Sequence, residues 1–322
     1  MADYPAIWNY CDQQQWIQRV GRGKLPPLIV SVAITGGVAG KEINPNLPET
    51  PEEQAQSTYD AYNAGATYVH VHARTAENPS VGSTEIEDYL NINRLVREKC
   101  PDIIINNTTG GGQGADQSQA MNPVYAKPEV ASLDCGPLAV KFTIPKRPEV
   151  GRMEDIQLDS IAGFGFGSTE KYAQAMLDEG VKPEIEVWHP GQWWLVQNLI
   201  DKGLVKPPYL IQCVMGFQSG CYATPKDLIY MMETAPQPCN LSVIGVGPFQ
   251  PAMVGMGIML GFSSVRTGME DNVYISKGNH AESNAQLVEK VVRMAREFGR
   301  EIATPQQARE ILGLSATPTK YD

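Results

Sequence analysis

Eight short apolar segments rich in β-branched residues recur along the chain, and segments of helical periodicity separate most of them. The apolar segments are LIVSVAI (28–34), ATYVHVH (66–72), DIIINNT (102–108), EVASLDC (129–135), PEIEVWH (183–189), YLIQCVM (209–215), NLSVIGV (240–246) and SSVRTG (263–268). Alternation of buried strands with helices predicts a parallel sheet of the α/β class. Eight such units over about 250 residues are typical of a (β/α)8 TIM barrel.

The helical segments carry clear start and stop signals. The segment 50–65 has Thr50 as N-cap, Pro51 at the first helical position, Glu53 to complete a capping box and Gly65 at its end. Further helices are predicted over 83–100, 168–180, 190–203, 224–235, 280–299 and 303–313, with His280 as a helix start. We expect a single TIM-barrel domain over 27–322, preceded by an N-terminal helical extension over 1–26 that covers the barrel or a partner subunit.

Composition excludes several classes of protein. The net charge of -10 and the lack of a basic stripe argue against nucleic-acid binding. No apolar run approaches the length of a membrane span, and the first residues lack the pattern of a secretory signal, so we expect a cytoplasmic protein. Six scattered cysteines without a C-x-x-C spacing indicate reduced thiols, which disfavours a zinc ribbon or a disulfide framework.

Two of the four histidines lie in the second apolar segment, YVHVHAR (68–74). Side chains two apart in a strand share a face, so Tyr68, His70 and His72 point the same way. Neutral imidazole is the commonest metal ligand in proteins. The pair therefore favours a metal site, although two hydrogen-bonded histidines would fit the pattern as well, and a third ligand is needed.

The loop after the eighth segment, VRTGMED (265–271), supplies candidates for that third ligand. In a closed barrel the second and eighth strands are separated only by the first, and active sites form at the carboxyl ends of the strands. Glu270 could then meet both imidazoles in a His₂Glu site with an open position, which is the arrangement of a catalytic zinc. The alternative is a solvated acidic turn.

Other strand ends also carry polar residues. NNTTGGGQG (106–114) places Thr108 and Thr109 before three glycines, in a loop that could bind a carboxylate or phosphate or could be a flexible turn. Ser132 and Asp134 share one strand face, as do Glu184 and Glu186. The alternatives are a satisfied core hydrogen bond for the first pair and an exposed strand end for the second.

Several strings resemble one known family, the β-keto acid cleavage enzymes, over residues 28–313. These are ITG (34–36), NPNLPETPEEQA (44–55), HVHAR (70–74), TTGGG (108–112), RTGMEDN (266–272), KGNHAESNAQLV (277–288) and ATPQQAREIL (303–312). The resemblance implies a (β/α)8 barrel, one Zn²⁺ per chain and an acyl exchange with acetyl-CoA as co-substrate. A β-keto acid and acetyl-CoA would give acetoacetate and a new acyl-CoA.

The resemblance also implies roles for individual residues. His70, His72 and Glu270 would hold the zinc, and Asp271 would remove a proton from C2 of the keto acid. Arg266 would align Asp271 and keep its pKa low. The substrate carboxylate would be held by Thr108, Gly110 and Ser132, and Glu186 would face the rest of the substrate.

One position departs from the family pattern. In the family member that acts on 3-keto-5-aminohexanoate, a glutamate follows the ITG motif and faces the substrate ammonium group. Val38 stands at this position here, with Glu42 further along the loop. Unless Glu42 folds back, we expect a substrate tail that is uncharged or differently charged.

Two alternatives to acyl exchange are open at this level. An amidohydrolase-type zinc hydrolase also uses H-x-H on a barrel strand, but it needs further metal-binding histidines that later strands do not supply convincingly. A non-catalytic metabolite-binding barrel would not need a zinc site beside Arg266 and Asp271. The expected partners are small molecules, with neither nucleic acid nor membrane, and the resemblance implies a homo-oligomer, a dimer or tetramer.

Overall fold

The barrel strands and two hairpins account for the extended segments of the chain. The structure, a computed structural model, describes residues 8–112, 114 and 116–321. Within these residues the strands are β1 (Ile29–Ala33), β2 (Tyr68–Val71), β3 (Ile104–Asn107), β4 (Val130–Asp134), β5 (Leu138–Ile144), β6 (Ile156–Ala162), β7 (Lys182–Val187), β8 (Tyr209–Met215), β9 (Cys239–Gly245), β10 (Ser264–Thr267), β11 (Tyr274–Ser276) and β12 (Asn279–His280).

Eight of these strands form one sheet that curves into a nearly closed barrel. Their order is β10-β1-β2-β3-β4-β7-β8-β9, and all paired neighbours are parallel. At the seam between β9 and β10, Ser263 Oγ donates a hydrogen bond to Asn240 Oδ1 at 2.9 Å. The predicted (β/α)8 TIM barrel and all eight predicted barrel strands are confirmed.

Helices surround the barrel. Within the described part of the chain they are α1 (Gln13–Gly21), α2 (Pro51–Ala64), α3 (Ile86–Lys99), α4 (Phe166–Glu179), α5 (Trp193–Asp201), α6 (Pro225–Thr234), α7 (Gln250–Leu260), α8 (Asn284–Glu297) and α9 (Pro305–Leu312). The capping box of Thr50 and Glu53 at the start of α2 is present as predicted, and Gly65 ends the helix with φ 116. None of the helices in the described ranges combines the length and apolar character needed to cross a bilayer.

The observed helices differ from the sequence analysis at one predicted helix start and by one helix that was not predicted. His280 lies in β12 and not at a helix start, because Ser283 caps α8 by accepting a hydrogen bond from the Gln286 N–H. The helix α7 was not predicted, because its sequence QPAMVGMGIML is apolar all round and has no amphipathic period. It packs behind β9 and β10, where Gly257 allows close contact with Val243 and Val265.

The N-terminal extension packs on the barrel in part. Residues 1–7 lie outside the described residues, and α1 follows Asp12, whose side chain caps it. Tyr10 packs against Phe262 with ring centroids 5.9 Å apart, and its hydroxyl lies 3.3 Å from Ser263 Oγ. These contacts are at the amino end of β10, which is the opposite end of the barrel from the strand carboxyl ends.

The amino end of the barrel interior is closed by an apolar cluster. It joins inward residues of five strands to α9 and the residue before its N-cap: Ile29, Tyr68, Ile104, Val130 and Leu210 with Ala303, Ala308, Ile311 and Leu312. All of these side chains are buried. The functional end of the barrel is therefore the other one, as the fold class predicts.

A long hairpin, β5–β6, was not predicted. It follows β4, and both of its faces are largely exposed. Its tip contributes Arg147 and Arg152, which form ion pairs with Glu42 in the loop after β1. Arg147 also pairs with Glu49 at 2.6 Å. The hairpin thus fixes the loop that follows the first strand.

Candidate active site

A cavity of about 230 Å³ opens at the carboxyl ends of the barrel strands. Seven of the predicted site residues line it: Val38, His72, Gly110, Glu186, Arg266, Glu270 and Asp271. The other five, His70, Thr108, Thr109, Ser132 and Asp134, are buried in the barrel strands and the loop around it. The structure therefore brings the twelve predicted site residues to the same end of the barrel.

His70, His72 and Glu270 converge on one point. The two Nε2 atoms of the histidines are 3.2 Å apart. Glu270 Oε1 lies 3.4 Å from His72 Nε2, and Glu270 Oε2 lies 3.7 Å from His70 Nε2. One ligand atom from each residue can be chosen so that all lie within 4.8 Å of one another. Glu270 reaches the pair because β10 and β2 both flank β1.

The protonation states of these residues suit a cation. Burial lowers the pKa of His70 well below its usual value, so its imidazole is neutral. His72 Nδ1 lies 3.3 Å from the Gly111 carbonyl oxygen, which can accept its N–H and leave the Nε2 lone pair directed at the cluster. Burial disfavours the ionised form of Glu270, but Arg266 and the imidazoles outweigh burial and hold its pKa well below its usual value.

The cluster also contains an oxygen that lacks a partner. Glu270 Oε2 is buried and accepts no hydrogen bond from the described residues. A buried carboxylate oxygen without a partner is unfavourable unless a cation binds it. Two imidazoles and one carboxylate form the ligand set of a catalytic zinc site with an open position. These residues therefore fit a divalent cation.

Arg266 holds two carboxylates at once. Its Nε and Nη2 atoms bind Asp271 at 2.9 and 3.0 Å, and Nη2 also binds Glu270 Oε1 at 2.6 Å. Burial raises the pKa of Asp271 to about 6, although Arg266 opposes the shift. The expectation that Arg266 keeps this pKa low is therefore wrong, because burial of the Asp271 carboxyl, together with the neighbouring Glu270 charge, outweighs the attraction of the guanidinium. Such a carboxylate is ionised at neutral pH and is a stronger base than an exposed one.

Glu186 and Asp134 form a second acidic pair beside the first. They occupy paired positions of β7 and β4, and both are buried. Burial, reinforced by Asp134, raises the pKa of Glu186 well above its usual value, and burial also raises the pKa of Asp134. Arg266 Nη1 lies 3.5 Å from Glu186 Oε1 and opposes both shifts only in part. Burial therefore favours the protonated form of a carboxyl in this pair.

Glu184 lies deeper, below the cavity. It accepts hydrogen bonds from the Tyr68 hydroxyl at 2.9 Å and from Asn106 Nδ2 at 2.6 Å. Burial raises its pKa to about 7. The alternative of an exposed strand end is wrong for Glu184 and Glu186, because both face the barrel interior.

The loop after β3 is organised around two hydroxyl groups. Thr108 Oγ1 accepts a hydrogen bond from the Gly110 N–H, and Ser132 Oγ accepts one from the Thr109 N–H, each at 3.0 Å. Both hydroxyls keep their own hydrogen for donation. Thr109 differs, because its hydroxyl donates to the Ser132 carbonyl at 2.7 Å.

Val38 lines the cavity, and Glu42 does not replace it. Val38 is 40% exposed. The Glu42 side chain is 7% exposed and pairs with Arg152 at 2.9 Å and with Arg147 at 3.4 Å. Glu42 is thus held away from the cavity by the β5–β6 hairpin, and the wall at Val38 stays apolar.

Close contacts of the loop after β1 with Glu270 and Arg74 explain why small residues follow this strand. A Cβ on Gly36, whose φ is +71, would lie 2.7 Å from Glu270 Cγ. Arg74 Nη2 donates to the carbonyls of Gly36 at 2.6 Å and Ala39 at 2.8 Å. Gly36 of the ITG motif therefore leaves room for the Glu270 side chain, and Arg74 of the HVHAR motif holds the backbone of Gly36 in place.

The apolar wall of the cavity was not predicted from the sequence. It consists of Val214, Phe217, Ile244 and Val246, with the ring of Trp188 packed at a tilt against Phe217 at a centroid distance of 4.8 Å. Val214, Ile244 and Val246 lie at the carboxyl ends of predicted strands, so their position was a usable signal. Phe217 follows a glycine in a loop, and no periodicity marks it.

Comparison with known proteins gives consistent matches over most of the chain. A family model described as "beta-keto acid cleavage enzyme" matches residues 27–314. The "3-keto-5-aminohexanoate cleavage enzyme" of Acetoanaerobium sticklandii is 39% identical over 296 residues, which cover 89% of this chain and 98% of the relative. The "3-oxoadipate:acetyl-CoA acetyltransferase" of Cupriavidus necator is 33% identical over 292 residues, which cover 89% and 95%.

Solved structures support the fold. The binary complex of ObcA with oxaloacetate superposes with a TM-score of 0.65 at 18% identity, covering 84% of this chain and 68% of that chain. At this identity the likeness concerns the barrel alone.

Proposed function

The chain belongs to the β-keto acid cleavage enzyme family, and from this premise we propose that it exchanges acyl groups between a β-keto acid and acetyl-CoA. The products are acetoacetate and a new acyl-CoA. The observation that carries the proposal is the convergence of His70, His72 and Glu270 beside the Arg266–Asp271 pair. The C. necator relative, whose name pairs a keto acid with acetyl-CoA, supports the choice of co-substrate.

Zinc is the proposed cation, one per chain, held by His70, His72 and Glu270. When bound, it would supply Lewis-acid polarisation of the substrate keto group. The neutral state of His70 and the unpartnered Glu270 Oε2 support this assignment.

Asp271 is the proposed base that removes a proton from C2 of the keto acid. Its bidentate contact with Arg266 fixes the carboxylate, and the raised pKa makes it a stronger base while it stays ionised at neutral pH. The resulting C2 carbanion, as its enolate, attacks the acetyl thioester carbonyl. The released thiolate then adds to the original keto carbon, and cleavage of the C2–C3 bond gives the new acyl-CoA and the enolate of acetoacetate. Return of the proton from Asp271 to C2 of this enolate completes acetoacetate and restores the carboxylate.

The substrate carboxylate is proposed to bind at Thr108 and Ser132, whose hydroxyl hydrogens stay available for donation. Gly110 lines the cavity beside them, and the absence of a side chain there leaves room for the carboxylate. Thr109 supports this loop through Ser132, and Asp134 with Glu186 borders the other side as a proton-holding pair.

The tail of the keto acid is proposed to be uncharged and apolar. Val38, Trp188 and Phe217 form the wall where an ammonium-binding carboxylate would otherwise stand. Glu42 is engaged by arginines and leaves this wall without a carboxylate to balance a cation.

Residues 27–322 are proposed as one catalytic domain and residues 1–26 as an extension, within a homo-oligomer. The single eight-stranded sheet supports the first part. Exposed Ile17 and Val20 on α1 support a subunit contact. Measurement of the molecular mass in solution at micromolar protein concentration tests the proposed homo-oligomer, and the mass of a monomer would contradict it.

The experiment is a substrate screen. Zinc-loaded protein is incubated with β-keto acids that carry apolar, ammonium or carboxylate tails, with and without acetyl-CoA, and acetoacetate is measured. We expect acetyl-CoA-dependent acetoacetate with apolar tails. Cleavage without acetyl-CoA would indicate a hydrolase, and no turnover would indicate a binding protein. Metal content by mass spectrometry should be near one zinc per chain and should fall in His72→Ala.

A further inference from the structure

A second and larger cavity adjoins the first. It has a volume of about 770 Å³ and lies between the loops that follow β9 and β10. Ala39, Glu270 and Asp271 line both cavities. The Gly247 N–H donates to the Asp271 carbonyl at 2.7 Å and ties the two loops together. A molecule in the larger cavity can therefore reach the Asp271 side of the first.

The lining of the larger cavity is apolar in its sheltered part and carries lysine side chains in its open part. Val273 is buried and Ile43, Pro251 and Ile275 are half-buried, so the sheltered part is apolar. Lys277 is exposed, and Lys290 is half-buried with its Nζ donating to the Ile275 carbonyl at 2.7 Å. Since an ammonium group has three donors, Lys290 has two more to offer.

The charges at the open part are positive. Lys277 and Lys290 form no ion pair with the carboxylates of the residues described. The carboxylates in the lining, Glu270 and Asp271, are both bound by Arg266. An anionic group near the lysines therefore meets two cations and no competing exposed acid in the wall.

The place in the fold independently suggests a phosphate. In TIM barrels the loops after the seventh and eighth strands frequently bind phosphate groups. Here β9 and β10 are those strands, and Lys277 lies in the loop after β10. The cavity thus offers an apolar passage to Asp271 and a cationic rim where the fold commonly places phosphates.

We propose that this cavity binds the acyl-CoA co-substrate, a site that rests on the function proposed above. The pantetheine arm lies along Ile43, Val273 and Ile275, and the phosphates of the nucleotide end lie at Lys277 and Lys290. The acetyl thioester then arrives at the Asp271 side of the keto acid, where the enolate carbon forms. The two substrates enter from different cavities and meet at their shared wall.

The test uses two thioesters that differ in their phosphates. Acetyl-CoA and S-acetyl-pantetheine are compared in the wild type, Lys277→Ala, Lys290→Ala and the double variant. We expect the KM for acetyl-CoA to rise about fivefold in each single variant and about twentyfold in the double, as for partly exposed charge contacts. The KM for S-acetyl-pantetheine and for the keto acid should stay unchanged. Lys226→Ala, on α6, is the matched control.

A filling variant tests the apolar passage. Ile275→Trp should raise the KM for both thioesters about tenfold, while exchange of the C2 proton of the keto acid for deuterium, measured without thioester, should continue at the wild-type rate. A thermal melt checks that the variant is folded. 3′,5′-ADP should inhibit competitively against acetyl-CoA, and less strongly in the lysine variants.

The outcomes separate the two proposals. If the wild type shows neither C2 exchange nor acetyl-CoA-dependent turnover, the proposed function fails. If the wild type is active and the double lysine variant keeps its KM for acetyl-CoA, the site assignment fails while the function stands. A change in oligomeric mass in the lysine variants would show that this surface contacts another subunit, and would also overturn the assignment.

Discussion

The two ends of the barrel interior are built from opposite kinds of side chain. At the amino ends of the strands, Ile29, Ile104 and Leu210 pack on Ile311 and Leu312 of α9. At the carboxyl ends, ionisable groups fill the interior, and they are buried or nearly so: His70, His72, Glu186, Arg266, Glu270 and Asp271. We call these regions the base and the mouth.

The difference separates stability from chemistry. Each large apolar side chain buried in the base contributes about 1.5 to 3 kcal/mol. Buried ion pairs at the mouth contribute little net stability, because desolvation offsets their attraction. A chain that needed only to fold would place apolar residues at both ends. The charged residues of the mouth therefore serve the chemistry and not the stability of the fold. Substitutions at the mouth should lower activity, whereas substitutions at the base should lower the free energy of unfolding.

Asp271→Asn should give the largest effect at the mouth. Removal of the proposed base should lower kcat by about a thousandfold, the range for a general base, while the fold and the zinc content stay near those of the wild type. Steady-state kinetics and metal analysis on the same preparation measure both. Loss of zinc together with activity would mean that Asp271 supports the metal site and is not the base.

Leu210→Ala should give the largest effect at the base. The cavity left in the apolar cluster should lower the free energy of unfolding by about 2 to 5 kcal/mol. Since Leu210 does not line either cavity described above, kcat and KM of the folded protein should stay within about twofold. Urea unfolding and kinetics below the transition measure the two quantities, with the exposed Glu310→Ala on α9 as control. A tenfold fall in kcat would contradict the separation of base and mouth.

Much of the mouth could be predicted from strand periodicity. The spacing of His70 and His72 places both on one strand face, and the closure of the barrel brings Glu270 to them through β1. These inferences use short-range geometry and a regular fold. The same holds for the capping box that starts α2 at Thr50.

Long-range contacts outside the regular barrel could not be predicted. The β5–β6 hairpin packs through Arg147 against Glu49 and Glu42, more than ninety residues earlier in the chain, and no local pattern marks such a pairing. The pKa of Asp271 was misjudged for a related reason, because the sequence shows that Arg266 is near but not that the Asp271 carboxyl is buried deeply enough to outweigh it. Helix α7 lacked the polar face that makes a helix recognisable.

Glu184 lies between the base and the mouth, and its ionisation should make the stability of the folded protein depend on pH. Its pKa is about 7 in the folded protein because of burial, against an ordinary value of 4.5. Between these values the unfolded chain ionises while the folded carboxyl stays protonated, so stability falls as pH rises. In metal-free protein, the wild type should lose roughly 3 kcal/mol relative to Glu184→Gln between pH 4 and pH 8. Urea unfolding across this range measures the difference, and parallel pH curves for both proteins would show that Glu184 titrates normally.

Tyr68→Phe should give the smallest effect, and it tests the hydrogen bond between Tyr68 in the base and Glu184 below the mouth. The ring of Tyr68 belongs to the base cluster, and its hydroxyl donates to Glu184 Oε1 at 2.9 Å. Loss of the hydroxyl should cost about 1.5 kcal/mol of unfolding free energy at pH 8, where Glu184 is ionised, and about half as much at pH 5, because hydrogen bonds to charged acceptors are stronger. In Glu184→Gln the pH dependence of this cost should disappear. Since the hydroxyl points to Glu184 and not into the cavity, KM for both substrates should not change. An equal cost at both pH values would mean that the base and the mouth are not joined through this bond.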